Sequence, residues 1–105
     1  MTDKLKNLKE KIPNNNDIKK SKEDILEMII NERNRQFNLP GSEWDAIKAP
    51  NDWISVANHY LSEESRRNSE LPKKEDFEES LVKSAAIILA ALEHIDIMKK
   101  NKTLK

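Results

Sequence analysis

The segment Ala85-Ala86-Ile87-Ile88-Leu89-Ala90-Ala91-Leu92 places eight apolar residues in a row between charged flanks. At helical pitch such a run has no side left for water, so it has to be enclosed by other elements. The chain has 105 residues, and its apolar and charged fractions are both 36%, so little apolar surface remains to do the enclosing. This predicts an all-α helical bundle with a long C-terminal helix, completed by at least a second copy of the chain.

Helical periods are the only ones present, and a single glycine and four prolines punctuate them. Leu5, Leu8 and Ile12 mark a short amphipathic helix that Pro13 and Asn14-Asn15-Asn16-Asp17 end, so residues 1–20 are expected to form an arm with a linker. The bundle domain is expected over residues 21–99, with a basic tail at 100–105. Its first helix begins at Ser21, where Ser21-Lys22-Glu23-Asp24 resembles a capping box, and runs to Phe37. Residues 38–50 carry Pro40, Gly41 and Pro50 and form a loop with a turn around Trp44. Asn51 or Asp52 caps the next helix, which runs from Trp53 to Arg67 with Trp53, Ala57, Tyr60 and Leu61 inward. The last helix is expected over 75–99, with Phe77, Leu81, Ala85, Ile88, Leu92 and Ile95 as its core stripe. At 1.5 Å per residue it is about 36 Å long.

Nineteen basic and nineteen acidic residues cancel, leaving no long-range attraction for DNA or an anionic membrane. There is no cysteine, and the apolar run is far below the roughly 20 residues that span a bilayer. The polar start Met1-Thr2-Asp3-Lys4 has no signal-peptide pattern. The expectation is a cytoplasmic protein of a bacterial host, with neither DNA nor membrane as partner.

Candidate chemistry centres on carboxylates. Glu93 and Asp96 lie one turn apart at the end of the apolar run, and Glu93 continues the stripe Val82, Ala86, Leu89 and Ala90. Inward carboxylates from several helices suit Mg²⁺, which takes oxygen ligands. The alternative is that both are solvated or pair with Lys99 and Lys100. Glu78 sits about 22 Å from Glu93 on one helix and Glu75 lies farther still, so neither can share its ion. Glu32 turns toward the same interior as Glu93. Arg33 and Arg35 point in different directions, so at most one serves an internal site, either as a phosphate clamp or as a register-fixing partner for a carboxylate. His59 is a candidate ligand or proton shuttle, or a packed or surface residue. Trp44 is a candidate base-stacking platform, or a cap on the end of the bundle.

Glu32-Arg33-Asn34-Arg35-Gln36, Asn51-Asp52-Trp53, and Leu81-Val82-Lys83-Ser84-Ala85-Ala86 leading to Ala91-Leu92-Glu93-His94-Ile95-Asp96 together resemble small phage and prophage proteins. Those are similar to the MazG-like all-α nucleoside triphosphate pyrophosphohydrolases, and the likeness spans roughly residues 22–98. It implies an oligomeric bundle with Mg²⁺-dependent cleavage of triphosphates to monophosphate and pyrophosphate. On that resemblance Glu32, Glu63, Glu93 and Asp96 are the metal ligands, and Arg33, Arg35, Trp44 and His59 are the nucleotide-binding residues. Active members carry an E-E-x-x-E cluster after the tryptophan, where this chain has His59, Tyr60 and Glu63. Neutral side chains there replace two hard anionic ligands, so hydrolysis is expected to be weak or absent. The alternative is a non-catalytic oligomeric scaffold or phage accessory protein that binds a host protein or sequesters a signalling nucleotide.

Overall fold

The computed structural model describes residues 18–64 and 71–105. The expected helix over 3–12 and the Arg66-Arg67 pair lie outside them. Helix α1 spans Lys22–Phe37, a 3₁₀ segment spans Ser42–Ile47, α2 spans Pro50–Ser62, α3 spans Lys74–Glu93 and α4 spans Ile95–Lys100. Among the described residues the structure is helical without strands, and none of their helices is long and apolar enough to cross a membrane.

Local chemistry accounts for the helix ends. Ser21 Oγ accepts from the Asp24 N–H and Asp24 reaches back to the Ser21 N–H, the reciprocal box expected from the sequence. At α2 the N-cap is Ala49, not Asn51 or Asp52. Pro50 occupies the first turn, where its missing N–H costs nothing, and Asp52 accepts from the Ala49 N–H at 2.8 Å. Between α1 and α2, Gly41 takes φ +97°, a left-handed conformation that any other residue adopts only with strain.

The long C-terminal helix is interrupted at His94. The imidazole Nδ1 lies 2.6 Å from the Ala90 carbonyl, the acceptor that the His94 backbone N–H would use in an unbroken helix. The N–H bonds Ala91 O instead, and the backbone turns at φ −103°, ψ 8°. The turn sets α4 against the 3₁₀ segment, where Asn101 Nδ2 donates to Ala46 O.

Helix α3 is the centre of the fold and packs against both α1 and α2. Its junction with α2 is apolar: Trp53, Ala57, Ile87 and Ala90 form the buried cluster together with Met98 of α4. Small side chains let the backbones approach there. Ser84, 1% exposed, donates from Oγ to Ala57 O at 3.0 Å. The junction with α1 is mixed, with Met28 and Ile29 half-buried, and Arg33 is the one residue of α1 that is buried.

The expected core stripe of α3 lies on its open side. Phe77, Leu81, Ile88, Leu92 and Ile95 are all exposed, whereas Ser80, Ser84, Ala86, Ile87 and Ala90 are buried. Leu61 of α2, also expected inward, is exposed on the same open side. Two neighbouring helices cover only part of the circumference of a helix that is apolar all round, and the inner part goes to small residues because they permit the closest approach.

Candidate functional site

The segment Glu32-Arg33-Asn34-Arg35-Gln36 distributes its side chains to both flanks of the α1–α3 contact. Arg33 Nε donates to Glu93 Oε1 at 2.7 Å, with the Arg33 side chain buried and that of Glu93 half-exposed. Glu32 faces elsewhere. It accepts from Arg35 Nε and Nη2 at 2.7 and 2.6 Å and from Gln36 Nε2 at 2.9 Å. The Arg35 hydrogen bond holds the Glu32 carboxyl below the usual carboxylate range. Burial opposes this, and the Gln36 hydrogen bond and the charge of Lys83 add to the lowering. The two arginines thus diverge as helical geometry requires, and the one that turns inward is the register-fixing partner of a carboxylate.

Glu32 and Glu93 consequently belong to different surroundings. Glu32 lines a cleft of about 570 Å³ between α1 and α3, with Lys20, Arg35, Lys74, Glu78 and Lys83 in its walls. The cations are matched by acids: Lys20 bonds Glu78 at 2.7 Å, and Lys83 bonds Glu79 at 2.9 Å. Glu63, the residue that ends α2, lies 3.3 Å from His59 Nε2, and both side chains are well exposed. Asp96 is exposed on α4. Among the described residues no group of three or more His, Cys, Asp and Glu is placed to hold a metal ion. As arranged, this donor set does not fit Mg²⁺: two of the four proposed ligands are occupied by arginine, and the four do not converge. Trp44, at 60% exposure, stands on the surface of the loop.

On the other flank of α1, a cavity of about 190 Å³ lies where α1, α2, α3 and the loop 39–48 meet. Its walls include Arg33, Gln36, Asp45, Lys48, Trp53 and Tyr60. The Gln36 amide has one permitted orientation. Its Nε2 donates to Glu32 Oε2 and to Lys83 O, and a flipped amide would set oxygen against both acceptors. Gln36 Oε1 is then a buried acceptor without a partner among the described residues, and Trp53 Nε1 is a buried donor in the same condition. Each such atom costs about 1–3 kcal/mol when nothing satisfies it. Lys48 Nζ bonds Asp45 at 2.7 Å and lies 4.7 Å from the Trp53 ring centroid. Gln36, Asp45 and Lys48 were not candidates from the sequence. The four-residue step from Glu32 to Gln36 was the signal available for the first of them.

No protein-family model matches this chain, and no curated protein or solved structure matches it either.

Proposed function

We propose that the protein is a self-associating helical module, a MazG-like bundle of phage type that acts by binding, with hydrolytic chemistry weak or absent. The observation that carries this reading is the open side of α3. Two apolar grooves, of about 490 and 320 Å³, meet at Ile88, which lines both. Ile25, Leu61 and Leu81 wall the first groove, and Ile54, Leu92 and Ile95 wall the second. Monomeric soluble proteins rarely leave so continuous an apolar patch uncovered. A second copy placed by a two-fold axis would cover it with the same surface. Light scattering on the full chain at micromolar concentration tests this. A mass of at least twice 12.2 kDa supports the reading, and a monomer overturns it.

A nucleotide as the bound partner is favoured by the α1–α3 cleft. It falls within the size range of small-molecule sites and offers Lys20, Arg35, Lys74 and Lys83 to phosphate oxygens. Glu32, Glu78 and Glu79 compete for those same cations, which argues for binding of moderate strength. Incubation with a panel of (d)NTPs and Mg²⁺ or Mn²⁺ separates the outcomes. Pyrophosphate release abolished by Glu32→Gln, a change in the wall of that cleft, supports catalysis. A thermal shift without turnover supports binding alone, and neither response removes the nucleotide.

A further inference from the structure

The described chain begins beside the first apolar groove. Lys20 lines that groove, and its Nζ is tied to Glu78 of α3 at 2.7 Å. We propose that segment 3–12 of the same chain occupies the groove as a short amphipathic helix, with Leu5, Leu8 and Ile12 set against Leu81, Ala85 and Ile88. Self-association is a separate matter, because the first groove then belongs to the chain itself and the second remains for another copy.

Three helices line the groove, and a fourth fits its dimensions. Ile25, Met28 and Ile29 come from α1, Leu61 from α2, and Leu81, Ala85 and Ile88 from α3. Leu81 and Ile88 are seven positions apart, about 10 Å of helix, and so are Leu5 and Ile12. At about 100° per residue, Lys4, Lys9 and Lys11 flank the Leu5-Leu8-Ile12 stripe, while Asp3 and Glu10 lie opposite it. Lysine stems beside an apolar stripe widen the surface it covers and keep their ammonium groups in water. The tether permits docking in cis. Residues 13–19 reach at most about 25 Å when extended, more than the distance from Leu81 to Ile88. A short tether sets an effective concentration in the millimolar range, roughly a thousand-fold above a second copy at micromolar concentration. The same face offered by another copy therefore competes at a disadvantage.

The test uses the full chain, which has no cysteine, with Asn7→Cys carrying a nitroxide on the side away from the stripe. Methyl resonances of Ile25, Leu61 and Leu81 are expected to lose intensity relative to the reduced label, whereas those of Leu39 and Ile47 keep it. Leu8→Asp in the labelled chain should restore the lost intensity, with circular dichroism reporting that the helices remain. If that variant fails to fold, the contrast between groove and loop methyls in Asn7→Cys alone decides. A mixture of isotope-labelled chain without nitroxide and spin-labelled chain without isotope reads exchange between copies. No loss is expected there, and comparable loss places the segment on a partner and overturns docking in cis. Unchanged groove methyls, loss spread evenly to Leu39 and Ile47, or loss that persists in Leu8→Asp also overturns it. Light scattering of the same samples separates the two proposals. A monomer with attenuated groove methyls retains this one alone, and a dimer without attenuation retains only self-association.

Discussion

Arg33 and Glu93, sixty residues apart in sequence, are joined by a 2.7 Å hydrogen bond that ties α1 to the C-terminal end of α3. The pair is asymmetric, because Arg33 is 10% exposed at its side chain and Glu93 is 51% exposed. Removing the acid strands a guanidinium in a poorly solvated place, whereas removing the base leaves a carboxylate that water can reach. Glu93→Ala is therefore expected to cost about 1–2 kcal/mol, below the roughly 3–5 of a pair buried on both sides. Arg33→Met keeps the apolar stem and should cost about 1 kcal/mol or less. Urea denaturation of the two variants checks the order, and an equal or reversed cost would overturn this asymmetry.

Glu32 makes stability depend on pH in a stated direction. Arg35 holds its carboxyl below the usual range in the folded chain, so the unfolded chain binds the proton more readily. Stability from this group is present above the unfolded value and is lost as pH falls through the lowered one, a window from about pH 5 downward. Glu32→Gln should flatten the acid limb of the melting temperature against pH between about 5 and 3. Thermal melts across that range provide the measurement.

Ile88 lies where the two apolar grooves meet, and it is 49% exposed in the single chain. Ile88→Lys places a charge at the centre of the proposed contact, and Ile88 is not a member of the buried cluster. The expected result is a shift toward monomer by light scattering with helix content retained by circular dichroism. A change of comparable size in Phe77→Lys alone would place the contact at the other end of α3.

Ser84 sits where α3 comes nearest to α2, and its Oγ donates to Ala57 O. Ser84→Ala removes one hydrogen bond and should cost about 1 kcal/mol. Ser84→Leu forces extra volume between two close backbones and should cost about 1–3 kcal/mol. Chemical denaturation midpoints at unchanged slope report both values.

The helices were legible because local rules produce them. The Ser21–Asp24 box, the loop around Trp44, and the apolar run at 85–92 each depend on neighbours within one or two turns. The break at His94 was not, because it depends on one imidazole taking the Ala90 carbonyl while packing 5.2 Å from the Trp53 ring. Among the candidate site residues, the divergence of Arg33 and Arg35 followed from helical angles. The expected convergence of Glu32 and Glu93 did not occur, since each found an arginine on its own side of α1.

By itself, the sequence determined the helical class, the order of the three longer helices from Ser21 onward, and the run at 85–92 that is apolar on every side of its helix. Periodicity, caps and proline placement carry that information within a few residues. Only the tertiary structure decided which side of α3 is covered, with which partners the carboxylates pair, and that Gln36 Oε1 and Trp53 Nε1 are buried without a partner among the described residues. Those outcomes depend on the rotation of each helix about its own axis. That rotation is set by contacts between residues dozens of positions apart, such as Ser84 with Ala57 and Arg33 with Glu93.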